Sequence, residues 1–219
     1  MIDKTPPLES DFIYHIYNRA NGNEKLFFEE ENYQFFMDKF KLYVSPVAEV
    51  FCYCLMPNHF HFLVRIKSEA AIELYRRNET SNETLPKFET LVKLDKTLVK
   101  MEVEKYVSKQ FSKLFSSYTQ SLNKQQGRQG NLFIHIFKRK RIESNFYLKN
   151  VVQYIHCNPL KAGLCNSLES YKYSSYKSLI SDGVTLLLRD ETITWFGDME
   201  NFKFAHGGKQ NMDGVDFDY

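Results

Sequence analysis

No stretch of this chain is apolar for long enough to span a bilayer, and its first residues, Met1-Ile2-Asp3-Lys4-Thr5-Pro6-Pro7, lack the hydrophobic run of a secretory signal. Both absences point to a cytoplasmic protein without a membrane partner. Cysteine is sparse: Cys52, Cys54, Cys157 and Cys165 sit in apolar or helical contexts rather than in a loop-rich framework, and read as reduced thiols. Glycine and proline are few, and no internal repeat is visible. Aromatic residues are what the chain has in excess, with 19 Phe and 14 Tyr. At 219 residues and 43% hydrophobic content, it is long enough for one domain with a core of its own, plus extensions.

One further absence is local. From Lys105 to Arg141 there are nine Lys or Arg and no Asp or Glu, ending in Lys138-Arg139-Lys140-Arg141. The net charge of +2 hides this, because the balance reverses after Arg189: Asp190, Glu191, Asp198, Glu200, Asp213, Asp216 and Asp218 face only Lys203 and Lys209. A basic stretch alone describes any solvated face. Interleaved with Tyr106, Phe111, Phe115, Tyr118, Phe133 and Phe137, it suits a polyanion whose bases can stack. Lys124, Arg128 and the tetrad Lys138, Arg139, Lys140 and Arg141 are the candidate DNA contacts, with the tetrad as backbone anchor.

Periodicity alternates between strand and helix. Residues 12–17 and the paired runs 47–56 and 59–66, joined at Pro57-Asn58, read as strands, the latter two as a hairpin. Residues 30–43 carry Tyr33, Phe36, Met37, Phe40 and Tyr43 at helical spacing. Residues 67–97 are polar and are expected to contain a mobile connection; helix resumes over about 98–123. A short strand is expected at 132–137, before the basic tetrad. Ser144 offers an N-cap for a helix to about Asn158, where Pro159 would interrupt it. The division expected is 1–181 as one catalytic domain and 182–219 as an acidic extension, read either as a solvated tail with local docking at Trp195 and Phe196 or as a mimic of DNA folded over the basic groove.

Within Leu55-Met56-Pro57-Asn58-His59-Phe60-His61-Phe62-Leu63-Val64, the period of two puts both imidazoles on one face of a strand, where a divalent metal can bridge them. The helix after Ser144 offers companions. Tyr147, Val151, Tyr154 and Asn158 share one face, while Leu148, Val152 and Ile155 form a stripe turned away from it. Tyr154 and Asn158 are one turn apart, and the Asn158 side-chain oxygen can bind a metal. His156, two residues from Tyr154, falls off that face and reads as structural.

Pro57-Asn58-His59-Phe60-His61-Phe62-Leu63 resembles the His-hydrophobe-His motif of the single-tyrosine transposases that mobilise small bacterial insertion sequences. Tyr154-Ile155-His156-Cys157-Asn158-Pro159-Leu160-Lys161-Ala162-Gly163 is similar to a segment of their relatives, the REP-associated tyrosine transposases. Tyr14-His15-Ile16-Tyr17-Asn18-Arg19, Gly130-Asn131-Leu132-Phe133 and Tyr173-Ser174-Ser175-Tyr176 extend the match, in the family's order, over roughly residues 10–180. The resemblance implies a ferredoxin-like α+β fold, an antiparallel sheet with helices packed on one face. It implies His59, His61 and Asn158 as ligands of Mg²⁺ or Mn²⁺, and Tyr154 as the nucleophile that forms a 5′-phosphotyrosine on single-stranded DNA carrying a hairpin. For oligomeric state it leaves both a homodimer and a monomer open.

Other readings stand beside this one. The two histidines can be satisfied core residues. Cys52, Cys54, His59 and His61 can share a strand face and hold zinc, although Cys is commonly a small hydrophobe. The chain can be a DNA-binding module without chemistry, or a replication or plasmid-transfer initiator that nicks single strands. His15, on the first strand, is expected to serve structure or DNA contact rather than metal ligation.

Overall fold

Runs rich in apolar, β-branched and aromatic residues build β1 (Ile13–Arg19), β2 (Ala48–Met56) and β3 (His59–Ile66), and the basic tetrad β4 (Lys138–Arg141) joins them at the edge of a four-stranded antiparallel sheet in the spatial order β2-β3-β1-β4. The computed structural model describes residues 6–80, 96–134 and 137–207. Helices α1 (Glu30–Tyr43), α2 (Glu69–Thr80) and α3 (Lys96–Gln126) fall between these strands. After β4 come α4 (Asn145–Lys161), α5 (Tyr176–Ile180), α6 (Arg189–Thr194) and α7 (Met199–Gly207). The order and direction of the strands are those of a ferredoxin-like sheet, as expected. The connection expected in the polar stretch falls, over 81–95, outside the described residues.

Strand parity sorts the core into two layers. Tyr14 and Ile16 of β1 and Phe60, Phe62 and Val64 of β3 face one way and pack with Phe36 and Phe40 of α1 and Phe111, Phe115 and Tyr118 of α3. Leu63 of β3 and Cys52, Cys54 and Met56 of β2 face the other way, against Leu148, Val151, Val152, Tyr154 and Ile155 of α4. A bulge between Val50 and Cys52 lets the successive residues Phe51 and Cys52 join this second layer. Helices therefore cover both faces of the sheet rather than one. The physical reason is that both faces are apolar, and a face so lined must be covered.

Three local expectations change. Among the described residues the fourth strand is the basic tetrad itself; of the stretch expected at 132–137, Phe133 makes an isolated bridge to Ala20, and 135–136 lie outside the described residues. The open edge of β1 accepts the tetrad, with Tyr14 opposite Arg141 and Tyr17 opposite Lys138. Helix α4 starts where Ser144 caps it, the Ser144 hydroxyl accepting from the Tyr147 N–H at 3.2 Å, but runs through Pro159 to Lys161. The proline leaves the Ile155 carbonyl without its helical N–H, but helical bonding resumes beyond it, the Ala162 N–H reaching the Asn158 carbonyl. The segment 189–207 is no solvated tail. Phe202 of α7 is fully buried in the α4 layer, Trp195 packs on Phe51, and Arg65 of β3 pairs with Glu191 at 2.8 Å. Arg65 stands six residues along β3 from His59, about 20 Å at strand rise, so α6 docks away from the His59 end of the sheet.

Candidate metal and nucleophile site

β3 delivers His59 and His61 to the face that α4 covers, and β1 places Tyr17 directly opposite His61 and Arg19 directly opposite His59. Into this patch α4 lowers Tyr154. Its ring meets His61 edge-on, with centroids 5.3 Å apart at 85°, and meets His15 at 6.3 Å and 78°. His59 stands perpendicular to His61 at 5.1 Å. Residues far apart in sequence thus meet in one cluster: the His pair from β3, His15 and Tyr17 from β1, and Tyr154 from α4. Asn158 lies one turn further along α4 than Tyr154.

Burial decides the charge state of the imidazoles. Desolvation lowers the pKa of His61 well below the ordinary value, with His15 and His59 adding to the effect. His59 falls to about 4, first through burial and then through the cation of Arg19. His15, also buried, falls to about 3, with Lys140 across the β1–β4 ladder as the second cause. Neutral imidazole is the form that ligates metals. For His59 the tautomer follows from its neighbour. Its Nδ1 lies 2.7 Å from Asn58 Oδ1, an acceptor only, so Nδ1–H donates and Nε2 keeps its lone pair.

These residues fit a divalent cation in donor chemistry. Two neutral imidazoles and an amide suit Mg²⁺ or Mn²⁺ only with water or phosphate oxygens completing the shell, which leaves room for a substrate. The Asn158 amide oxygen is the atom that can ligate; its amide nitrogen, buried without a hydrogen-bond partner among the described residues, is a donor that an acceptor such as a phosphate oxygen would satisfy. Among the described residues no three His, Cys, Asp or Glu converge as a metal centre. Of the zinc alternative, Cys54 lies opposite His61, and both Cys52 and Cys54 are fully buried in the apolar layer against α4, where they pack as small hydrophobes and burial raises their thiols.

The basic residues divide. Strand alternation puts Lys138 and Lys140 on the His15 and Tyr17 face, with Lys140 Nζ 4.7 Å from the Tyr147 ring. Arg139 and Arg141 take the opposite face, where Arg141 pairs with Glu9 at 3.0 Å and lies over Phe12, and Arg139 donates to the Pro6 carbonyl. Arg128 is held by Glu24 and Asn123 at the end of α3. Lys124 is exposed in the last turn of α3, beside Glu31 and Gln125 in a groove on the α1 and α3 layer. So the sequence candidates Lys138 and Lys140 lie on the site's face, while Arg128, Arg139 and Arg141 already have protein partners and Lys124 belongs to the other layer.

Sequence reasoning named Arg19 only within a motif. Its signal was the strand period: two residues on from Tyr17 and four from His15, it must share their face. No carboxylate pairs with it among the described residues. Asn58 was legible as a turn residue but not as the partner of His59.

His156 does leave the Tyr154 face, and its partners show what it holds. His206 Nδ1 lies 2.8 Å from the Phe202 carbonyl and must donate there, so neutral His206 accepts at Nε2 from His156 Nδ1–H at 2.9 Å. His156 Nε2 then accepts from the Ser175 hydroxyl at 2.9 Å, and the Tyr53 N–H donates to that same hydroxyl oxygen at 2.8 Å. This chain of buried bonds clamps α7, α4 and β2 together behind the tyrosine.

Compared with known proteins, the chain matches no family model and no curated protein. Its structure is similar to that of a REP-associated tyrosine transposase bound to a REP hairpin, with a TM-score of 0.55 at 13% identity, covering 84% of this chain and 88% of that one. The likeness is one of fold, and the fold is that of the proteins the motifs resemble. Among the described residues no helix is long and apolar enough to cross a membrane.

Proposed function

We propose that the chain is a metal-dependent DNA strand transferase that nicks and rejoins single-stranded DNA next to a hairpin, through a 5′-phosphotyrosine on Tyr154. The observation that carries this reading is the contact of the Tyr154 ring with His61 at 5.3 Å, which sets a phenol beside a face of neutral imidazoles. The similar solved structure, a tyrosine transposase holding a hairpin, supports DNA as the partner.

The Tyr154 oxygen attacks the phosphorus, the bond from phosphorus to the 3′ oxygen breaks, and the departing oxygen takes up a proton as a 3′-hydroxyl. The phenolic proton leaves during attack. One ester replaces another, so a 3′-hydroxyl from a second strand can reverse the step without another energy source. His59, His61 and Asn158 would hold Mg²⁺ or Mn²⁺, which when bound supplies positive charge for the phosphate oxygens. Arg19, opposite His59, adds a fixed cation for the same oxygens. Lys138 and Lys140 follow the DNA backbone along β4, and the wall formed by α4 holds the phenol in place.

Incubation with end-labelled single-stranded hairpin DNA and Mn²⁺ tests the reading. A covalent protein–DNA adduct is expected with the natural chain and none with Tyr154→Phe. An adduct that persists in that variant refutes the nucleophile, and none with the natural chain over a panel of hairpins refutes the activity.

A further inference from the structure

We propose that His15 is a positioning residue for the metal: it accepts the Nδ1–H of His61 on its own Nε2 and so keeps His61 in the tautomer whose Nε2 lone pair faces a ligand. The inference rests on the reading of His59 and His61 as ligands, and adds a residue that reading leaves out.

His15 Nε2 and His61 Nδ1 are 2.9 Å apart in a fully buried pair. Two neutral rings can share that bond in only two ways. If His15 donates, His61 carries its proton on Nε2 and cannot ligate through it. If His61 donates, its Nε2 is free of hydrogen and His15 must be neutral with its own proton on Nδ1. Only the second arrangement serves a metal.

Packing fixes the position of the ring. The His15 ring is stacked on Tyr17 at 4.8 Å and 20°, and it lies nearly coplanar with His61, at 18° with centroids 5.0 Å apart, the alignment that an in-plane N–H···N bond requires. Lys140 stands directly across β4 from His15, and its ammonium opposes a second positive charge at that ring. The arrangement also repeats a device already seen at the neighbouring ligand. Asn58 accepts from His59 Nδ1, and His15 accepts from His61 Nδ1, so each imidazole has its own acceptor behind it. Such outer partners orient the ring, raise its basicity as a ligand and typically matter by about 10- to 100-fold in affinity.

The test uses the full chain without DNA. Mn²⁺ affinity is measured by calorimetry for the natural protein, His15→Phe and His15→Gln, and ring ¹⁵N shifts of the metal-free natural protein report the His61 tautomer. Phenylalanine keeps a stacked ring and removes the acceptor; glutamine restores an acceptor oxygen near the Nε2 position. Expected are a Mn²⁺ affinity about 10- to 100-fold weaker for His15→Phe, recovery of most of it in His15→Gln, and a proton on Nδ1 of His61 in the natural protein. Equal affinity in all three proteins, or a proton on Nε2 of His61, overturns the role of His15. Absence of Mn²⁺ binding by the natural protein overturns the ligand reading itself, a separate failure. If His15→Phe melts before the natural chain at the assay temperature, the glutamine variant and the tautomer decide: a glutamine variant that has lost the affinity overturns the proposal.

Discussion

Acidification asks four imidazoles in two hydrogen-bonded pairs, His15 with His61 and His156 with His206, to accept charge where there is no water to solvate it. Burial holds His15 at about 3 and His206 at about 4, and His61 and His156 well below the ordinary 6.5. Each folded value lies below the unfolded one, so the stability these groups contribute is complete above about pH 6.5 and is lost as pH falls toward the folded values. Each proton excluded by the folded state costs about 1.4 kcal/mol per pH unit in that window. Counting one excluded proton per pair, stability falls by about 3 kcal/mol between pH 7.5 and 5.5; counting all four rings, by about 5 kcal/mol. Against a total of about 5 to 15 kcal/mol for an ordinary domain, cooperative unfolding before about pH 4 follows. Urea unfolding followed by circular dichroism at pH 7.5, 6.5 and 5.5, with chelator present to exclude metal linkage, measures the change at constant slope. With every ring counted, His15→Gln should reduce that change by about 1.4 kcal/mol over the whole interval. A free energy that stays level from pH 7.5 to 5.5 refutes the argument that these pairs are held neutral by burial.

The split of the basic tetrad gives opposed expectations for its two halves. Lys138→Gln with Lys140→Gln should weaken single-strand binding and lower the salt slope by about 1.4, at about 0.7 per phosphate contact on a single strand. Arg139→Gln with Arg141→Gln should instead lower the melting temperature, through loss of the Glu9 pair, and leave that slope unchanged; the reverse pattern contradicts the assignment of faces. Arg19→Gln should slow single-turnover cleavage by about 10²-fold while DNA affinity changes little, and a rate equal to the natural chain's removes Arg19 from the phosphate site. Phe202→Ala, which empties a fully buried ring position between α7 and α4, should cost about 3 kcal/mol or more in urea unfolding. A change under about 1 kcal/mol would mean that α7 is not part of the cooperative unit.

Local pattern determined much of this protein. A two-residue period put His59 and His61 on one face, the 3.6-residue period put Asn158 one turn from Tyr154, and Ser144 marked the start of their helix. Those are relations between near neighbours, and they survive whatever the rest of the chain does. Pro159 showed the limit of such signals, since it removes one helical bond and the helix nonetheless continued to Lys161. Pairing across the sheet was legible only for the β2–β3 hairpin, whose strands are joined directly at Pro57-Asn58. That the tetrad would be a strand, that its alternation would turn Lys138 and Lys140 toward the site and Arg139 and Arg141 away, and that Arg19 would face His59 depend on the register of β4 and β3 against β1. The same holds for His15: its strand position was evident, but its bond to His61 joins positions 46 residues apart. His156 and His206 likewise met only when α7 folded back on α4. Composition and spacing determine which side chains share a face of one element; only the packing of elements decides which faces meet, because burial energy belongs to the assembled layers and not to any one strand or helix.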